Sequence, residues 1–158
     1  MDTNDIFYKI SKALSLTEEE ILQAYKLEGY PMTPEHLEAL LKKRVDKGFT
    51  SCSYEELGVF LDGLVILKRG PSPQKNEKKE AVELTHNLIL KKLRAALNLK
   101  EADMEIIFGL GDAKLSRQEF KSLFRKENHK NFKACSDVLL MAFLEGLDEF
   151  YYVGEIDE

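Results

Sequence analysis

Apolar residues recur along this chain at intervals of three and four and never in the strict alternation of a half-buried strand, which predicts eight amphipathic helices. The first four stripes are Ile6, Ile10, Ala13 and Leu14; Ile21, Ala24 and Tyr25; Leu37, Leu40 and Leu41; and Leu57, Phe60, Leu61 and Leu64. The next four are Ile89, Leu93, Ala96 and Leu97; Met104, Ile107 and Phe108; Phe120, Leu123 and Phe124; and Leu140, Phe143, Leu144 and Leu147. Start signals agree with the stripes. Thr17 with Glu20, Ser53 with Glu56 and Ser116 with Glu119 have the spacing of capping boxes, in which hydroxyl and carboxylate satisfy orphan backbone donors reciprocally. Pro34 after Thr33 suits the first helical position behind a cap. Gly70, Pro71 and Pro73 in RGPSPQKNEKKE stop the fourth helix and open a polar linker.

The eight stripes are two sets of four. Sliding the chain over itself by 83 residues lays KALSL on AALNL, LKKRVDKGFTSCS on FRKENHKNFKACS and FLDGL on FLEGL. Roughly 19 of about 61 paired positions are then identical, far above chance, so the chain is a tandem duplication. Each half is too short to bury much surface by itself, so the halves are expected to share a core. The expected fold is all-α: two tandem four-helix repeats, 1–69 and 83–158, joined by a linker at 70–82 and packed as one compact eight-helix unit with pseudo-twofold symmetry. Phe150, Tyr151 and Tyr152 are read as extending the last helix onto the core, and the acidic GEIDE end as fraying.

Composition narrows the class. With 44% apolar and 32% charged residues, the chain is globular and not a disordered tail. The opening MDTNDIFYKISKALSL mixes charges into its apolar residues and lacks the pattern of a secretory signal. No apolar run approaches the roughly 18 residues of a membrane span. Cys52 and Cys135, without CxxC spacing, fit a reducing, cytoplasmic setting. A net charge of −5 argues against a uniformly basic surface, yet residues 71–133 hold 14 Lys/Arg against 9 Asp/Glu while 134–158 hold 7 acidic residues and no basic ones. A local basic face within an acidic whole is consistent with that distribution.

The paired NDI and NLI starts, the ALxL turn, the K-x-F-x-x-C-S loop and the FLxGL helix, in the same order in both copies, resemble the YehS-like family of small bacterial proteins, a domain of unknown function (1456) that occurs twice per chain. The resemblance spans nearly the whole sequence. It implies a bacterial, cytoplasmic, two-repeat helical protein, and it supplies no reaction, substrate or catalytic residue.

The copies themselves nominate residues. In the loop between third and fourth helices, Lys43, Lys47, Phe49, Cys52 and Ser53 are identical to Lys126, Lys130, Phe132, Cys135 and Ser136, and Lys42 is matched by Arg125. Each type has a structural job: lysines at a helix carbonyl end, a phenylalanine pinning the loop, a buried cysteine, a serine cap. The functional reading gathers Lys42, Lys43, Lys47, Arg44, Arg125, Lys126, His129 and Lys130 into two cationic patches that hold phosphates of a nucleic acid or another anion. Gly63 and Gly146 are matched inside helices, where each costs about 1 kcal/mol relative to alanine. They are expected to face one another at the contact between repeats, the alternative being a self-associating surface that yields a homodimer.

Asn4 is expected to cap the first helix, Asn87 to make a buried hydrogen bond between units, and Lys9 and Lys92 to lie on an exposed stripe. The histidines and cysteines match no zinc spacing, so neither metal nor cofactor is expected. GLGD at 109–112 lacks the preceding strand of a dinucleotide fingerprint. With no catalytic constellation, the expectation is a binding or adaptor protein, not an enzyme, associated with nucleic acid through the paired loops. The alternatives are a protein-interaction module with an apolar groove, and a small-molecule regulator or enzyme with a pocket between the repeats.

Overall fold

The computed structural model describes residues 2–70 and 83–152, which form eight helices and no strand. They are α1 (Thr3–Ala13), α2 (Glu18–Leu27), α3 (Pro34–Leu41), α4 (Tyr54–Arg69), α5 (His86–Leu97), α6 (Glu101–Leu110), α7 (Arg117–Leu123) and α8 (Asp137–Phe150). The linker after Gly70 and the GEIDE tail lie outside the described residues. All three capping boxes form: in the one before α4, Ser53 Oγ accepts from Glu56 N–H at 3.0 Å and Glu56 Oε1 accepts from Ser53 N–H at 3.0 Å. Thr33 caps α3 ahead of Pro34. The ALxL motifs make the same turn twice, with Ser15 (φ 51°) and Asn98 (φ 52°) in the left-handed region that short polar side chains tolerate.

The second helix of each repeat packs on the fourth of its own copy, α2 on α4 and α6 on α8. The first helix crosses over: α1 packs chiefly on α8, and α5 on α4. Each repeat therefore completes its core with the other copy's last helix, although Phe7 also meets Phe60 of its own α4 edge-on at 4.8 Å. Polar contacts seal the same seam. Lys92 pairs with Asp62, and Arg69 Nη1 donates to Ala95 O (3.1 Å) and Asn98 Oδ1 (3.2 Å). Lys92 is thus a half-buried interface residue and not part of an exposed stripe.

The matched glycines correct another expectation. A Cβ on Gly63 would stand 1.9 Å from Ala24 O, and one on Gly146 would stand 1.8 Å from Ile107 O. Ala24 and Ile107 are themselves matched positions on α2 and α6. The glycines therefore admit a close crossing inside each repeat; they do not face one another and are not the contact between repeats. At the C-terminal end Phe150 and Tyr151 pack on the core as expected, whereas Tyr152 is 73% exposed.

Candidate functional site

The matched loops are held by the matched asparagines. Asn4 Nδ2 donates to Leu40 O (3.0 Å) and Thr50 O (2.9 Å), and its Oδ1 accepts from Cys52 N–H (2.9 Å). Asn87 repeats the bracket on Leu123 O (2.9 Å), Lys133 O (2.9 Å) and Cys135 N–H (2.8 Å). One side chain thereby satisfies the end of the third helix, the loop and the approach to the fourth helix, groups that burial would otherwise leave unpaired. The cap of α1 is Asp2, whose carboxylate accepts from Asp5 N–H at 2.9 Å, not Asn4. Asn87 sits one residue inside α5 and bonds within its own copy, not between units.

Inside the bracket the two loops take the same path. Asp46 N–H donates to Lys43 O and Phe49 N–H to Asp46 O; the counterparts are His129 to Lys126 and Phe132 to His129. Thr50 N–H returns to Ala39 O (3.1 Å) and Lys133 N–H to Ser122 O (3.0 Å). Cys52 and Cys135 are buried, and burial, with the nearby carboxylates Glu56 and Asp137 respectively, pushes both thiols up to about 12. They stay protonated at neutral pH and are poor nucleophiles. Among the described residues no three His, Cys, Asp or Glu side chains gather in a way that could hold a metal ion.

The eight nominated cations divide into two sorts. Lys43, Lys47, Lys126 and Lys130 are exposed. Lys42 is turned back on its own loop, donating to Lys47 O at 3.1 Å. Arg125 is half-buried beside His129, whose Nδ1 accepts from Asn131 N–H at 2.9 Å, so both are occupied in shaping the loop. Arg44 pairs with Asp2 and lies over the Phe49 ring, 5.5 Å from its centroid. Loop residues 42–49 still carry four cations against Asp46, and 125–133 carry four against Glu127.

Helix direction brings these loops to one end of the molecule. Asp62 meets Lys92 and, further along both helices, Arg69 meets Ala95 and Asn98, so α4 and α5 run in the same sense. The start of α4 is thus at the same end as the start of α5. There His86 touches Cys135 O (3.2 Å) and Asp137 (3.4 Å) at the start of α8. Thr3, at the start of α1, donates to Cys52 O. Four helices therefore begin at the end where both lysine loops are displayed, and their dipoles add positive potential to it.

Sequence comparison within the chain missed a cluster because it is not shared. Glu56, buried at the start of α4, accepts from Tyr30 Oη (3.2 Å) and meets His36 Nε2 (2.5 Å). Tyr25 Oη donates to the Glu56 carbonyl at 3.0 Å. Burial pushes the Glu56 carboxyl up, but bonds from Ser53 N–H, His36 and Tyr30 outweigh it and hold the group below its ordinary value. The equivalent positions in the second repeat are Leu139, Ala113 and Glu119, and there a cavity of about 730 Å³ opens instead. The available signal was the mismatch itself: Glu56, read only as the capping-box carboxylate, is paired with the apolar Leu139.

The architecture defines a duplicated all-α protein with interlocked repeats and one shared loop displayed twice. The family model described as a protein of unknown function (DUF1456) matches residues 3–70 and 86–151, one match per repeat. The chain is also 33% identical over 151 residues to the uncharacterized protein YehS of Escherichia coli (strain K12), covering 93% of this chain and 94% of the relative. The chain belongs to the DUF1456 family. No solved structure matches it. Among the described residues no helix is long and apolar enough to cross a membrane.

Proposed function

We propose that the chain is a binding protein that takes the phosphate backbone of a nucleic acid across its two lysine loops. One observation carries the reading: Lys43, Lys47, Lys126 and Lys130, exposed on loops of matching conformation, sit at the same end of a protein whose net charge is −5. Three of the carboxylates nearby are engaged, whereas Glu127 is exposed. Asp2 is held by Arg44, Asp46 accepts from Lys43 N–H at 3.3 Å, and Asp137 meets His86. Lysine serves as a point charge toward phosphate, so the contact favours backbone over base sequence. The high thiol pKa values support binding over cysteine chemistry, and two unpaired buried thiols suit a reducing cytoplasm.

Fluorescence anisotropy against labelled RNA and DNA, repeated over a range of salt, tests the proposal. Four phosphate contacts correspond to a slope of about −3 to −4 in log affinity against log salt. Lys43→Glu with Lys126→Glu should abolish binding while the circular dichroism is unchanged. Absence of binding at low salt, or binding indifferent to that double substitution, refutes it.

A further inference from the structure

We propose that the groove of the second repeat is a docking site for a cationic amphipathic helix from a partner protein. The groove lies along the first half of α8, between the α6–α7 turn and the start of α1. Its walls are Ala113, Leu115, Val138, Leu139, Met141 and Ala142, and Val138 is 80% exposed. Gly111 lets the turn approach so closely that an added Cβ would lie 1.9 Å from Ala142 O, which sets the backbone of the groove.

The duplication supplies an internal control. In the first repeat the same place is filled by the chain's own side chains: Tyr30 where the second repeat has Ala113, Glu56 where it has Leu139, and Val59 where it has Ala142. Tyr30 packs on the core and bonds Glu56, closing that side. The second repeat has lost the ring and the carboxylate together and presents aliphatic surface in their stead. A scaffold that can close this position, and does so in one copy, leaves it open in the other.

Charge selects the occupant. Exposed Asp5, Asp112 and Glu145 rim the groove beside Asp137, which faces His86 at 3.4 Å, against the single amine of Lys133, which is itself 3.6 Å from Glu119. An apolar floor with a carboxylate rim complements a helix that carries an apolar stripe flanked by lysine or arginine. Small-molecule sites, in contrast, are enclosed and carry polar groups converging inward. Here the polar groups stand at the edge and the floor is open to solvent, which suits side chains projecting from a helix. A second copy of this chain is a poor fit, since its net charge is −5 and it displays Lys43, Lys47, Lys126 and Lys130 on loops and not beside an apolar helix stripe.

The probe is a labelled amphipathic helix of leucine and lysine, compared with the same helix carrying glutamate for lysine, on the full chain. Binding of the lysine helix is expected, with amide shifts in heteronuclear NMR confined to Ala113, Leu115 and the start of α8. Ala113→Tyr, which installs the residue of the first repeat, should weaken binding by about tenfold or more. Val138→Lys, at an exposed position that does not bear on folding, should do the same. The proposal is overturned if the lysine helix does not bind, if the glutamate helix binds equally, if the shifts map elsewhere, or if neither substitution changes affinity. Concentration-dependent dimerisation of the chain blocked by Ala113→Tyr would also overturn it, by assigning the groove to a second copy. Unchanged nucleic-acid binding by Ala113→Tyr separates this site from the lysine loops.

Discussion

Replacing Asn4 with alanine tests the element on which both loops depend. The side chain serves three backbone groups: the carbonyls of Leu40 and Thr50 and the N–H of Cys52. The bonds to Leu40 and Cys52 are buried, whereas that to Thr50 is partly open to water, which can replace it. Stranding a buried polar group costs about 1–3 kcal/mol, so two such groups give about 4 kcal/mol. That is a large share of the roughly 5–15 kcal/mol by which domains of this kind are stable. The midpoint of thermal unfolding should fall by roughly 10 °C for a chain of this size. Urea denaturation followed by circular dichroism measures the loss directly. Location is read from the thiols: iodoacetamide labelling with peptide mapping should find Cys52 reacting first in Asn4→Ala and Cys135 first in Asn87→Ala, because each bracket closes over its own cysteine. A loss below about 1 kcal/mol, or both thiols opening together in either variant, refutes the bracket.

Gly63→Ala should destabilise by about 1–3 kcal/mol, because the added methyl meets Ala24 O at 1.9 Å and must push α2 from α4; Gly58→Ala, with open space around it, should stabilise by about 0.5–1 kcal/mol. Urea midpoints of the two variants moving in the same direction would show that the crossing is not tight. Glu56 has a folded pKa below its ordinary value of about 4.3, so its contribution to stability is fully present above that value and is lost as pH falls through the folded pKa. Glu56→Gln should therefore flatten the acid limb of the stability profile below about pH 4.3 and lower stability at neutral pH. An acid limb as steep as that of the native chain would show that the Tyr30 and His36 bonds do not hold the carboxylate charged.

Most of the fold was legible because helices and caps are local. The apolar stripes place all eight helices, and the S/T-x-x-E spacing marks three of their starts within the sequence itself. The exchange of first helices was not legible. An amphipathic face says that a helix is covered, and the stripe of α1 is the same whether α4 or α8 covers it. The glycines show the same limit. Their match pointed correctly to a close crossing, but Gly63 meets α2 and not Gly146, because a symmetric pair satisfies two equivalent contacts as readily as one shared contact. Asn4 was misread because Asn at a helix start usually caps, and Asn87, read as a buried hydrogen-bonder, was given the wrong partner; only the three-dimensional return of the loop reveals three backbone partners for each. Of the loop cations, point charges at exposed positions were recognised, whereas the inward turn of Lys42 and the half-burial of Arg125 depend on the path of the loop.

Identity between the copies found what both repeats need in order to fold, and difference between them found what only one displays. The asparagine bracket, the crossing glycine and the loop lysines occur twice, so any ligand of the loops meets two equivalent sites at one end of the molecule. The groove occurs once, since Tyr30 and Glu56 close its counterpart. Stoichiometry follows from this asymmetry. An extended polyanion spanning the lysines should engage both loops of one chain, so that substituting either loop alone weakens binding and substituting both removes it, whereas a helical peptide should bind once per chain and respond only to substitutions around the groove, Asp5 of α1 included. Two peptide equivalents per chain would mean that the first repeat opens as well, and that the Tyr30–Glu56 contact is a door and not a wall.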